Sequence, residues 1–521
     1  MPRQTTTLPL ALPPREAGTT AGRWLYDALR ATILDGRLGP GVRLPATRDL
    51  ARQYQLSRGT VVTAFEQLRA EGYVRGRIGS GTYVNVVLPD ALLATGTGPR
   101  GAARARSSSK AGRRLSAFAR RIEPFPTSPA PRIRAFRANQ PALDLVPVGL
   151  WAQVAGRCTR AVTTRLLMGC PPSGYQPLRK AVADYLTSAR GVRCDARRVC
   201  IVSGVQDALD LAARLLLDPG DRVAVEDPGY TGATLAFRAM GVRVTGLPVD
   251  DEGVTLPPRA LRNLRMIYVT PAHQFPLGPT MTLARRLALL EWARSADAMI
   301  FEDDYDSEFR YSGSPLPALQ GLDQDDRVLF AGSFSKVLFP GLRLGYLVLP
   351  DDLVDRAAMA LDVTRRHGPV LEQVVLTDFI TAGHFGRHIR RMREVYAHRL
   401  SVLLEEGRRH LDGLLTISDV EAGLQTVGWI PGALRISARE VARRAAERDV
   451  QVTPIADYAL SRPSREGLQL GFAAVDEQEL KRGVRELAKV LTPRASPSSS
   501  PRPDARRYGS AASSHLDWRR Q

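Results

Sequence analysis

The chain has 521 residues, 24% of them charged and 44% hydrophobic, with a formal net charge of +20. That length exceeds what one core supports and predicts roughly two to four domains. No apolar run is long enough to span a bilayer, and the four cysteines (Cys158, Cys170, Cys194, Cys200) form no CxxC pair, so a cytoplasmic chain with free thiols and no membrane partner is expected.

The charge is unevenly placed. Residues 1–86 hold 12 arginines against 6 acids, residues 87–140 hold 11 basic residues against 2 acids, and residues 492–521 hold 6 arginines against 2 acids; residues 141–491 are within one charge of neutral. A basic N-terminal part on a neutral body points to a polyanionic partner. The alternative is that a basic tether is simply solvated.

Residues 18–86 read as a compact domain. Pro45 is expected to open a short helix through about Arg52. Ser57 is a suitable N-cap for a second helix, with Val61, Val62, Phe65 and Leu68 on one face. "YVRGRIGSGTYV" then reads as two strands around a glycine-containing turn. Helix, turn, helix and hairpin is the winged helix-turn-helix pattern, whose second helix presents its N-terminal residues to base edges.

Residues 87–140 are rich in Ala, Gly, Pro, Ser and Arg and predict a flexible basic linker. From 141 to 491, strand-like runs ("RVAVEDPGY", "RMIYVTPAH", "AMIFEDDYD", "RVLFAGSFS") alternate with helical stretches ("ALDLAARLLLD", "LARRLALLEWARSAD"). This alternation predicts an α/β domain with a mostly parallel sheet and sites at its strand ends. Residues 492–521 are expected to be a disordered tail.

The chain has 68 arginines but five lysines, and one of these, Lys336, sits in the glycine-rich strip "AGSFSKVLFPGLRLG". A primary amine forms an imine with an aldehyde and a guanidinium does not. A pyridoxal 5'-phosphate (PLP) site needs such a lysine, an acid facing the pyridine nitrogen, phosphate donors and an aromatic face. Asp303, at the end of an apolar run, is the candidate acid, and Tyr305 is placed to reach the ring hydroxyl oxygen. Ser203, Val205 and Gln206 precede an amphipathic helix whose exposed N–H groups suit a phosphate. Ser333 and Arg343 flank the lysine and complete that cup, and Tyr230 is the candidate stacking ring. A metal cluster of Asp303, Asp304 and Asp306 is the rival reading, without histidine or calcium-loop spacing to support it. His384 and His388 stand four apart on one helix, as in some zinc sites, but no third ligand is apparent. Arg387, Arg390, Arg391 and Arg393 on the same helix read as a solvated face, with nucleic-acid contact as the alternative.

Two resemblances follow from longer stretches. "DGRLGPGVRLPATRDLARQYQLSRGTVVTAFEQLRAEGYVRGRIGSGTYV" resembles the DNA-binding domain of GntR-family transcription regulators along its whole length. It implies Arg48, Ser57, Arg58 and Thr60 as contacts to double-stranded DNA, with Gly79 in the wing near the minor groove or backbone. "SGYQPLRKAVADYL", "VEDPGY", "TPAHQFPLG", "FEDDYDSEF" and "GSFSKVLFPGLRLGYL" resemble the fold-type I PLP-dependent aminotransferases. Both in one chain are similar to the MocR subfamily. The resemblance implies Lys336 as the Schiff-base residue, Asp303 at the pyridine nitrogen and Tyr305 near the ring oxygen. It also implies Ser203, Val205, Gln206, Ser333 and Arg343 around the phosphate, His273 and Gln274 where a ring-contacting Asn usually stands, and a homodimer. One departure concerns catalysis. Gln469 in "EGLQLGFAAV" takes the place of the arginine that usually clamps a substrate α-carboxylate, with Arg462 or Arg465 as substitutes from the preceding loop. The expectation is therefore a regulator that senses PLP, an amine or an amino acid and controls vitamin B6 or amine metabolism. The alternatives are a working aminotransferase with a DNA-binding appendage and a DNA-binding protein with a purely dimerising domain.

Overall fold

Three helices and a hairpin make the N-terminal unit: α1 (Ala21–Leu34), α2 (Thr47–Gln53), α3 (Arg58–Ala70), β1 (Val74–Arg77) and β2 (Gly81–Val84). The structure, a computed structural model, describes residues 10–15, 18–77, 81–86, 113–125, 132–313 and 317–492. Ser57 caps α3, its Oγ accepting from the Thr60 N–H at 3.1 Å, which satisfies one of the donors a helix start leaves open. Ala46, still extended, precedes α2, so that helix begins two residues after Pro45. The strands pair antiparallel, Val74 opposite Val84 and Arg77 opposite Gly81. Leu25, Leu29 and Ile33 lie four apart on α1 and pack with Leu50, Val61, Phe65, Leu68 and Val84 into one core. Val62 is only partly buried. Gly79 lies outside the described residues.

The second unit, Arg114–Gln521, is built on an eight-stranded sheet. Its strands are β3 (Val199–Val202), β4 (Arg222–Asp227), β5 (Arg243–Asp250), β6 (Gly253–Val254), β7 (Leu264–Val269), β8 (Met299–Asp304), β9 (Val328–Ser333) and β10 (Gly345–Val348). They run in the order β3-β10-β9-β8-β7-β4-β5-β6. Strands β5, β4, β7, β8 and β9 are parallel; β10 is antiparallel to both its neighbours, and β6 pairs antiparallel with β5. Val223, Val225, Met266, Tyr268 and Phe301 enter one hydrophobic layer. The alternate residues Ala224, Ile267 and Ile300 enter another. Both faces are covered, which explains why these strands read as nearly continuous apolar runs. A smaller antiparallel sheet, β11 (Thr416–Ile417), β12 (Gln425–Trp429), β13 (Thr453–Pro454) and β14 (Gly467–Gly471), has the order β11-β12-β14-β13.

The expected linker, 87–140, is too long. Phe136 is 1% exposed, its carbonyl accepts from Gly471 at 2.9 Å, and the Ala135 carbonyl accepts from Gln451 at 3.0 Å. Residues 132–140 therefore belong to the large unit. Further upstream, the helix Ala117–Arg121 also joins it, with Arg121 Nε donating to the Ala239 carbonyl at 3.1 Å. Arginine and proline dominate this stretch and mask the few apolar side chains that anchor it.

Candidate functional site

A cavity of about 480 Å³ opens at the carboxyl ends of the parallel strands, where α/β sheets form their sites. Lys336 lies in a single helical turn, Phe334–Val337, directly after β9. His388 fixes this turn, its Nε2 standing 2.9 Å from the Val337 carbonyl. The Lys336 Nζ donates to the Asn139 carbonyl at 2.7 Å. Burial pulls the Lys336 amine down to about 8, against the opposing pull of Asp306 and Asp303. A lysine depressed this far has far more neutral amine at neutral pH than one in water.

Asp303 is at the end of β8 and 4% exposed. Its Oδ2 accepts from Tyr268 Oη at 2.6 Å, while Oδ1 is buried without a partner. Burial pushes the carboxyl up to about 7, with the Asp304 charge adding to the rise. A buried, half-satisfied carboxylate on a cavity wall is a ready acceptor for a pyridine N–H. Its neighbours are otherwise engaged: Asp304 pairs with buried Arg190 at 2.8 Å, and Asp306 lies 3.0 Å from His273 Nδ1. Among the described residues no three His, Cys, Asp or Glu side chains are grouped to hold a metal.

Gly204, at φ +121°, turns the chain from β3 into the helix Val205–Leu216. Gly204, Val205 and Gln206 line the cavity at that helix start. Ser333, Ser335 and Arg343 line it as well, and among the described residues the Arg343 side chain makes no hydrogen bond or ion pair. Tyr230 lines it with its hydroxyl accepting from Gln206 Nε2 at 3.1 Å, its ring edge-on to Phe275. Tyr305 completes this part of the wall, 2.9 Å from His273 Nδ1. Amine, carboxylate, guanidinium, helix start and aromatic rings thus converge on one space, and this donor set fits PLP.

Three expected residues stand elsewhere. Ser203 does not line the cavity: its N–H donates to Asp207 Oδ2 at 2.7 Å, and its hydroxyl is 3.5 Å from Arg365 Nη1. Gln274 is wholly engaged by Glu226, Pro228, Phe275 and Leu277. His273 is behind Tyr305 and orients it. Neither His273 nor Gln274 lines the cavity. Arg462 and Arg465 are exposed, and Arg465 stacks over Trp429 at 4.6 Å. Sequence reasoning missed Phe125, Arg137, Asn139, Gln140, Gln451 and Tyr458, all on the cavity wall. Asn139 also donates its N–H to Gln425 Oε1 at 2.9 Å, and Gln425 Nε2 reaches Tyr305 Oη at 3.4 Å.

On the N-terminal unit, Arg48, Ser57 and Arg58 are exposed and Thr60 is partly so. All four lie on α2 or at the start of α3.

Two family models match. The model described as bacterial regulatory proteins, gntR family, covers residues 22–84, and that for aminotransferase class I and II covers residues 135–487. The chain is 39% identical over 478 residues to the probable rhizopine catabolism regulatory protein MocR of Rhizobium meliloti, covering 92% of this chain and 95% of that one. The chain belongs to the MocR subfamily of GntR-type transcription regulators. As in that subfamily, a winged helix-turn-helix joins a fold-type I aminotransferase domain, so this regulator has DNA as a partner and PLP as its cofactor. It is also 30% identical to the pyridoxine biosynthesis transcriptional regulator PdxR of Corynebacterium glutamicum, over 93% of this chain and 99% of that one. Among solved structures it resembles LysN, the α-aminoadipate aminotransferase of Thermus thermophilus in complex with N-(5'-phosphopyridoxyl)-L-leucine. The TM-score is 0.65 and the identity 29%, over 72% of this chain and 97% of that one.

Proposed function

We propose that this MocR-type regulator detects a primary amine at Lys336 and reports its presence through the DNA-reading helices. The observation that carries this reading is the depressed lysine amine and the unpaired Asp303 Oδ1 on one cavity wall. When bound, PLP supplies an aldehyde carbon on which one primary amine replaces another, with no net oxidation or reduction.

The protein's part is holding and release. Asp303 would face the pyridine nitrogen and Tyr305 the ring oxygen; Ser333, Arg343 and the Val205–Gln206 helix start would hold the phosphate, and Tyr230 would cover the ring. The free Lys336 nitrogen donates to the Asn139 carbonyl, and this is the contact that engaging the nitrogen would disturb. Asn139 lies in the segment 132–140, which is anchored in the large unit through the Phe136 and Ala135 carbonyls, so the state of Lys336 is felt first by that segment. Arg48, Ser57, Arg58 and Thr60 contact double-stranded DNA. The protein acts as a cytoplasmic homodimer, with exposed Leu167 and Met168 supplying apolar surface for the partner subunit. Among the described residues no helix is long and apolar enough to cross a membrane. Genes of amine or vitamin B6 metabolism are the targets, in keeping with relatives named for rhizopine catabolism and pyridoxine biosynthesis.

Footprinting of the full-length protein on its own upstream DNA, with and without PLP and candidate amines, tests this. A footprint that changes with the ligand is expected; one indifferent to both rules out switching. Buried Gln469, in place of a carboxylate clamp, supports sensing over turnover. Steady-state transamination at the rate of ordinary aminotransferases would overturn that part.

A further inference from the structure

Beyond the groups assigned to the cofactor, the cavity wall is uncharged but for one side chain. Gln140, Gln451, Thr453 and Tyr458 supply polar atoms there, beside Asn139, Thr231 and Ser335. The Oε1 atoms of Gln140 and Gln451 are buried without partners. Tyr458 donates its hydroxyl to Gln469 Oε1 at 2.7 Å. Gln469 is 0% exposed on β14, and its Nε2 also lacks a partner. Arg137 is the one guanidinium on this part of the wall, and it already takes part in an interaction within the chain.

Buried polar atoms left unpaired are costly, so a wall that carries several is shaped for a ligand that pairs them. A carboxylate offers acceptors alone, and away from water it demands a dedicated cation. A hydroxyl both donates and accepts, which suits carboxamides in either orientation. We infer that the effector is a primary amine bearing hydroxyl groups and no carboxylate, recognised through Gln140 and Gln451, with Tyr458 held in place by Gln469. This deepens the amine-sensing reading above and rests on it.

Three matched amines test it on the full-length, PLP-loaded protein: isopropylamine, serinol (the same skeleton with two hydroxyls) and L-alanine (the same skeleton with one carboxylate). Visible absorbance is followed during titration, with concentrations counted as unprotonated amine. Serinol is expected to half-saturate at a concentration about tenfold or more below the other two, the discrimination that a site built for hydroxyls exerts against analogues lacking them. Gln140→Leu and Gln451→Leu are expected to weaken serinol and leave isopropylamine unchanged. A preference for alanine, parity between serinol and isopropylamine, or equal weakening of both amines by the variants overturns this inference alone. Silence towards all three amines in protein that still binds PLP overturns it together with the amine-sensing reading.

Discussion

Arg48 and Arg58 stand in water with no protein partner among the described residues, whereas Lys336 and Asp303 face a cavity where burial moves the pKa of each. The two units of the chain therefore use charge in opposite ways. On the winged helix, charge is left solvated, ready to displace counterions from a phosphate backbone. In the large domain, charge is taken out of water, so that a proton or a cofactor atom completes it. A mutation in the first set should alter affinity for a polyanion; a mutation in the second should alter a small-molecule site and its pH dependence.

The largest expected effect is at Lys336. Lys336→Ala should abolish the red shift that PLP absorbance undergoes on joining the chain. Lys336→Arg should abolish it as completely although the charge is kept, because the guanidinium does not condense. A retained shift in either variant, with no amine added, would sink the assignment. Next come the solvated arginines. Arg58→Ala should weaken operator binding by about 1–3 kcal/mol in a gel-shift titration, with the PLP spectrum unchanged. If Arg48 holds a phosphate, Arg48→Ala should lower the salt slope of binding by about one. A comparable loss is expected when Arg343→Ala removes a charge-assisted bond, raising the PLP dissociation constant by about 1.5–3 kcal/mol while DNA affinity in the PLP-free state stays as it was. If Arg58 variants change the PLP spectrum, or Arg343 variants change PLP-free DNA binding, the division between the units fails.

The smallest effect is in pH dependence. Burial pushes Asp303, Glu226, Glu302 and Glu308 each up to about 7. Folded chains therefore keep protons that unfolded chains have already released. The stability this group confers is whole below the ordinary carboxylate range and is lost as pH rises to about 7. Lys336 acts in the opposite sense: held down to about 8, it adds stability as pH climbs above that value. The melting temperature of the PLP-free protein should fall from pH 5 to 7, and Asp303→Asn should make that fall shallower. A slope unchanged by Asp303→Asn would remove this carboxyl from the set.

Much of the site was legible because its residues lie where the chain changes pattern. Asp303 ends an apolar run, Lys336 follows one, and Gly204 to Gln206 separate a strand from a helix, so each could be placed before any tertiary contact was known. Asn139, Gln451 and Tyr458 carried no such signal. They come from remote segments whose meeting depends on packing of the smaller sheet, and Asn139 lay in a stretch dominated by arginine and proline. Gln274 misled for the complementary reason: its motif was visible, but its amide is consumed by the loop that holds it. In the N-terminal unit α2 and α3 were readable, while α1, which supplies Leu25, Leu29 and Ile33 to the core, was not separately marked.

The Lys336 partner at position 139 is a main-chain oxygen, and Asn139 adopts φ +61°. The identity of that residue is thus governed by what the left-handed region accepts rather than by its own side-chain chemistry. Glycine or aspartate at 139 should preserve the contact, whereas valine, with two groups on Cβ, should break it without touching a single cofactor-binding side chain. Related proteins can thus exchange the residue beside the lysine among a narrow set of types and still keep the bond, so a comparison based on side-chain function alone would overlook it.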